Sequence, residues 1–316
     1  MAEELTEQYL RRRGFDVQHC RELGGGVSNI VLWVQTPSEQ LVFKQSLARL
    51  RVRDEWLFDQ RRIVNERRCM EWIGTVMPAA APRVRFADDE NFIFGMTAVP
   101  PGGRLWKESL LQGETDRNTA WRMGEMLRRF HTLARSDERA RQTFSGQDVF
   151  LQGRVDPYHR FTARRHPDLA PWIEAEVARL LAHQETLVHG DYSPKNLFAY
   201  PEQVMMLDFE VAHWGDPAFD VAFCLTHLIL KVIHFPARRA DYLGVAEAFW
   251  NGYGPAVETE VNTLRELGCL LLARIDGKSK EDYIQLEDER EEARALARWL
   301  LTKPPESIAA VWRRLT

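Results

Sequence analysis

Only four cysteines occur in the 316 residues, at positions 20, 69, 224 and 269. Spaced so widely, they fit neither a disulfide framework nor the close pairs of a zinc site, and a reducing compartment is expected. Basic charge is not in surplus. Lys and Arg number 42 against 46 Asp and Glu, a formal net charge of −4, which argues against a phosphate-tracking surface and against nucleic acid as a partner. Long apolar runs are missing too. The longest, residues 221–230, is broken by Thr226 and His227 and is far below the ~20 residues of a membrane span. The opening MAEELTEQYLRRRG has acids where a secretory signal carries positive charge, so a cytoplasmic protein with no membrane partner is expected. No repeat of fixed period and no low-complexity tract is present, which sets aside solenoids and linker-dominated architectures.

What is present is an ordinary globular composition, 45% hydrophobic and 28% charged, at a length that favours two lobes. The pattern predicts a helix over 3–13, then strands at 16–23, 29–35 and 41–45, an antiparallel meander. A helix over 59–73, closed by Gly74, and strands at 84–87 and 92–99 follow. Pro100-Pro101-Gly102-Gly103 is the best boundary signal. Beyond it helices dominate, at 116–134, 169–183, 218–231, 240–252, 258–275 and 281–301, with short strands at 186–188, 197–200 and 204–207. The expected fold class is α+β. An N-terminal antiparallel sheet lobe over 1–99 and a larger, mainly helical C-terminal lobe over 104–316 are joined by a hinge at 100–103.

The unusual residues lie in the loops between the short strands. Asp191 and Asn196 stand five apart in His189-Gly190-Asp191-Tyr192-Ser193-Pro194-Lys195-Asn196, and an apolar run delivers Asp208 twelve residues later. Magnesium takes oxygen ligands, commonly one or two carboxylates plus substrate phosphates, and Asn196 and Asp208 suit that role. Asp191, off the metal, suits a base that accepts the proton of an attacking hydroxyl. Taken singly, each residue would equally serve to cap a turn.

The run His-Gly-Asp, four residues, Asn, then Asp208-Phe209-Glu210, then Gly215-Asp216-Pro217-Ala218-Phe219-Asp220 resembles the aminoglycoside phosphotransferase family. That family lies within the protein-kinase-like superfamily, with choline, homoserine and methylthioribose kinases. The resemblance extends from Leu23 to about Tyr253 and implies a bilobal fold with ATP in the cleft, Asp191 as catalytic base, and Asn196 and Asp208 as Mg²⁺ ligands. It also implies Lys44, in the third strand, as the holder of the α and β phosphates. Glu66 is its expected partner on the next helix, with Glu71 as the alternative. Gly25, Gly26, Ser28 and Asn29 form either a phosphate cover or only a tight hairpin. Thr97 to Val99 match the hinge that meets adenine.

Two departures from protein kinases stand out. Ser193 replaces their lysine two residues after the base, leaving Lys195 to approach the transferred phosphate or face solvent. Glu210 replaces the glycine after Asp-Phe, adding a third carboxylate beside the metal, and no Ala-Pro-Glu segment follows, which argues against protein substrates. Asp216-Pro217 reads as a helix entry. Asp220 is expected to brace the catalytic loop, and His189 to anchor it.

The expected activity is phosphorylation of a hydroxyl on a small molecule resembling an aminoglycoside, amino alcohol or sugar. The alternative is a kinase-like nucleotide-binding module without catalysis. A dinucleotide-dependent oxidoreductase is disfavoured, because a strand rather than a helix follows the glycines. Residues 183–316 carry 14 basic and 21 acidic groups, which would steer a cationic acceptor. Seven of those acids lie in 281–292, however, and read as a solvated helix face. Arg274, at a helix end, would serve an acceptor or merely the C-terminus. Trp214 and Trp106 would stack on a ring or fill the core.

Overall fold

The computed structural model describes residues 3–24, 27–51 and 56–316. The chain forms two compact units, one of residues up to Gly103 together with Leu207–Ala212, the other of Arg104–Met206 and His213–Thr316. Mixed sheet and helix, with an antiparallel N-terminal sheet and a mostly helical remainder, make this the expected α+β class.

The first unit is built on β1 (His19–Glu22), β2 (Asn29–Gln35), β3 (Gln40–Ser46), β4 (Val84–Asp88) and β5 (Ile93–Thr97), in the order β1-β2-β3-β5-β4. All neighbours are antiparallel. β2 is rich in β-branched and aromatic residues, and β3 is central, buried from Leu41 to Ser46. Val34, Leu41, Phe43 and Ile93 pack with Leu5, Tyr9 and Leu10 into one core. The first helix, Glu7–Arg12, is shorter than its sequence pattern because the Thr6 hydroxyl caps it, accepting from the Tyr9 N–H. Before that cap, the backbone N–H groups of Glu3 and Leu5 donate to Asn91 and Gln45 instead. The second helix, Arg62–Val76, passes through Gly74 rather than stopping there. Asn65 on this helix donates to the carbonyls of Glu210 and Ala212, which ties the segment 207–212 to it.

In the second unit, helix Arg117–Arg135 meets helix Arg239–Tyr253 where Gly124 faces Phe249 and Gly252 faces Trp121. A Cβ on either glycine would lie 2.1 Å from the opposing carbonyl oxygen, so only glycine permits this approach. Helices Ala218–His234 and Val257–Asp276 form the buried interior. Five short strands complete the unit: β6 (Arg104–Leu105), β7 (Thr186–Val188), β8 (Leu197–Ala199), β9 (Val204–Met206) and β10 (His213–Gly215). They pair as β6-β8-β9 and as β7-β10.

Two departures from the sequence pattern matter for function. Residues 148–165 are helical throughout, and their middle, Leu151–Arg160, is a wide i→i+5 turn containing Gly153 and Pro157. A 3.6-residue period does not register such a stretch. The helix expected over 281–301 begins only at Glu287, and Glu281 and Glu289 are buried instead of lining a solvated face. Among the described residues no single helix is long and apolar enough to cross a membrane.

Candidate functional site

In the first unit the polar residues converge on Lys44. β3 carries it to a nearly sealed position, 7% exposed. Its Nζ donates to both oxygens of Glu66, at 2.7 and 2.8 Å, and to Asp208 Oδ1 at 2.8 Å. Glu66 is therefore the partner. Glu71 lies on the exposed side of the same helix and pairs with Arg67. Burial opposes charge on Lys44, but Asp208, Glu66 and Glu210 outweigh it and hold the ammonium well above its usual range. Glu66 is pushed up to about 7 by burial and by the neighbouring carboxylates, against the pull of Lys44.

Three carboxylates thus surround one ammonium, and oxygens of Glu66, Asp208 and Glu210 all lie within 4.8 Å of one another. Such an all-oxygen, net-negative donor set suits a hard divalent cation. Asp208 adopts the left-handed backbone conformation, φ 68°, so its side chain is aimed at a cost in local strain.

Glu210 Oε2 accepts from Asn29 at 3.2 Å and from Arg62 at 3.1 Å. Arg62, fully buried, also donates to the carbonyls of Ser28, Leu47, Phe58 and Asp59. Arg62 thus ties Ser28 and Leu47 to the helix that carries it and to Glu210. Ser28 pairs with Asn29 through their side chains at 3.0 Å. Gly25 and Gly26 lie outside the described residues. Thr97 ends β5, half-buried, with its hydroxyl accepting from the Arg83 N–H, and Val99 follows, also half-buried.

In the second unit the loop after β7 is held from below by Asp220, which is fully buried. Its two oxygens accept the backbone N–H groups of His189, at 2.7 Å, and Gly190, at 2.8 Å, and His131 Nε2 lies 3.1 Å away. Burial opposes its ionisation, yet His131, His189 and these N–H donors keep it below the usual carboxylate range. Gly190 turns the chain with φ 77°, and His189 Nδ1 accepts from the Asp191 N–H at 3.1 Å. Asn196 Nδ2 closes the loop on the Asp191 carbonyl at 2.9 Å, which turns its Oδ1 away from that bond. Asp216 caps the following helix through the Ala218 N–H, with Pro217 at its entry.

Asp191 Oδ2 is 2.9 Å from Lys195 and 3.0 Å from Arg154. Lys195 therefore leans on the aspartate. Arg154 was not legible in the sequence; it projects from the wide helical turn and also donates to the Gly190 carbonyl at 2.6 Å. Arg274 is buried and bonded to the Tyr158 hydroxyl, to Ser279 and to Glu281. Trp214, in β10, and Trp106 are buried, 4% and 2% exposed, which favours packing over stacking on a ligand.

The phosphotransferase enzyme family model matches residues 19–261, and the chain belongs to that family. A methylthioribose kinase of Geobacillus sp. (strain WCH70) is 24% identical over 252 residues, 71% of this chain and 63% of the relative. The chain covers 62% of a second methylthioribose kinase, from Geobacillus thermodenitrificans (strain NG80-2), so it spans under two thirds of the length of these curated relatives. In fold it is similar to an amicoumacin kinase solved with AMP-PNP, Ca²⁺ and its ligand, with TM-score 0.64, 12% identity and coverage of 99% and 98% of the two chains. A choline/ethanolamine kinase family protein from Mesorhizobium loti has TM-score 0.58, 14% identity and 94% coverage of both chains.

Proposed function

We propose that the protein is an ATP- and Mg²⁺-dependent kinase that phosphorylates a hydroxyl of a small molecule, and that it works in the cytoplasm. The observation that carries this reading is Lys44 gripped by Glu66 and Asp208 in a chain that matches the phosphotransferase family over most of its length. The names of its relatives, kinases of methylthioribose and of the choline and ethanolamine type, support a small acceptor.

In this reading Lys44, fixed by Glu66, holds the nucleotide phosphates by charge. The motif spacing supports Asn196 and Asp208 as metal ligands, and the oxygens gathered near Asp208 support it further, with Glu210 close by. Bound there, the metal would neutralise phosphate charge. Asp191 orients the acceptor hydroxyl and takes its proton as the new P–O bond forms and the bond to the β-phosphate oxygen breaks. Asp220 and His189 keep the loop in shape, and neither touches the reacting atoms. The first unit is the nucleotide-binding part, with Ser28, Asn29 and the Thr97 to Val99 stretch around the nucleotide. The second unit provides the acceptor side.

The test is ADP release by purified protein with ATP·Mg²⁺ over a panel of sugars, amino alcohols and aminoglycosides. Acceptor-dependent release that stops on chelation with EDTA is expected. Release independent of every hydroxyl compound would overturn the reading.

A further inference from the structure

The second unit holds a basic cluster that extends well beyond the groups the reaction above uses. It has two ends, joined by Tyr158. At one end Lys195 and Arg154 share the Asp191 carboxylate. The Arg154 guanidinium lies over the Tyr158 ring, 5.5 Å from its centroid, and Arg274 lies over the same ring at 5.7 Å while bonding its hydroxyl at 3.0 Å. At the other end Glu281 is bonded to Arg274 and lies 3.3 Å from His227 Nδ1 and 3.8 Å from Lys107. Lys231 borders this end, 3.3 Å from the His227 carbonyl and 3.4 Å from the Tyr283 hydroxyl.

Charge does not balance here. Five basic side chains, Lys107, Arg154, Lys195, Lys231 and Arg274, meet three carboxylates, Asp191, Glu281 and, near Lys107, Asp282. The neighbouring groups register the surplus. Burial and the surrounding cations push His227 well below its usual value, and burial with Lys107 and Arg274 brings Lys231 down to about 7. Burial alone would raise Tyr158, yet Arg274 and Arg154 bring it below its ordinary value.

Buried charge without a counter-charge is expensive, and a protein keeps it where a ligand supplies the missing sign. Two polar atoms point the same way. His227 Nε2 and Arg274 Nε are buried with no hydrogen-bond partner, on side chains 5% and 8% exposed. Lys107 and Lys195 are 36% and 45% exposed, so the cluster reaches solvent at both ends.

We infer that the acceptor is an anion, a small hydroxyl compound whose carboxylate or phosphate group is held by Arg274, Lys107 and Lys231 while its hydroxyl faces Asp191. This rests on the phosphotransferase reading and reverses the sign that the acidic C-terminal sequence suggested for the acceptor. Arg274 is a binding residue in this assignment. Tyr158 is a positioning residue that holds the two guanidiniums apart.

The experiment compares matched acceptors, glucuronate and glycerate as carboxylates, glucose 6-phosphate and glycerol 3-phosphate as phosphates, glucose and glycerol as neutral forms, and glucosamine and ethanolamine as cations. ADP release and binding heat without nucleotide are both measured. The best anionic acceptor is expected to exceed every neutral or cationic one by about 100-fold in kcat/KM, and the better of the two anionic groups identifies the chemistry. Arg274→Met and, as a milder change at a partly exposed position, Lys107→Met should raise its KM about tenfold or more with a smaller effect on kcat and none on the KM for ATP. A neutral or cationic compound as best acceptor would overturn the inference and leave the kinase reading intact. If no compound releases ADP, the kinase reading fails, and the heats decide separately: anion binding lost in Lys107→Met upholds the basic site, and no anion binding overturns it.

Discussion

The Arg154 guanidinium lies 3.0 Å from Asp191 Oδ2 and donates through Nε to the neighbouring Gly190 carbonyl. One planar fork thus fixes both the proposed base and the backbone that carries it. Removing it frees the carboxylate to rotate. Arg154→Met is expected to lower kcat by about 10²-fold, because a misplaced base loses most of its benefit. Arg154→Lys restores charge but not the fork and should recover only part of the loss. Single-turnover rates for both variants check this, and equal rates for Lys and Met would show that charge is irrelevant there.

Asp220 accepts two backbone N–H groups of the catalytic loop and faces His131. Asp220→Ala leaves those donors buried without an acceptor, at a cost of about 3 kcal/mol. Urea denaturation should show that loss, and kcat should fall with little change in nucleotide affinity. Unchanged stability would remove Asp220 from the bracing role.

Lys44→Met leaves Glu66, Asp208 and Glu210 close together with no ammonium between them. Affinity for ATP·Mg²⁺ should fall by about tenfold or more, since a charge-assisted contact to phosphate is lost. Glu66→Gln should weaken it less. Titration calorimetry with a non-hydrolysable ATP analogue separates these outcomes from parity, which would exclude Lys44 from the phosphate site.

Burial, with Lys107 and Arg274 acting in the same direction, brings Lys231 down to about 7 from the ordinary lysine value of 10.5. Between those values the unfolded chain binds a proton that the folded chain does not, so stability rises with pH across that window. Lys231→Met removes this dependence. The variant should be more stable than the parent, and by about 2 kcal/mol more at pH 7 than at pH 9. Denaturant titrations at the two pH values measure the difference. An equal gain at both would mean that Lys231 is charged throughout.

Much of this was legible in the sequence because its signals are local. The strand 29–35 stands where its β-branched run places it, and His189 to Asp220 carries enough motif to order the loop residues. Lys44 finding Glu66 rather than Glu71 is settled by which side of the helix turns inward. What escaped is non-local or irregular. Glu281 reads as a member of a charged surface run and Arg62 stands in a charge-rich stretch, yet tertiary packing seals them with partners distant in the chain, Glu210 for Arg62 and His227 and Lys107 for Glu281. Arg154 and Tyr158 sit on a wide helical turn whose period matches neither helix nor strand template. Net charge is uninformative for the same reason: a −7 balance over residues 183–316 says nothing of which charges face one another.

The measurement closest to the central claim is the paired behaviour of Asp191→Asn, turnover beside nucleotide binding. Asn keeps the shape of the side chain but cannot take the acceptor's proton. ATP·Mg²⁺ affinity within about threefold of the parent and a fall in kcat of about 10³-fold are predicted, the range a lost general base produces. Turnover close to that of the parent with a competent acceptor would contradict the account.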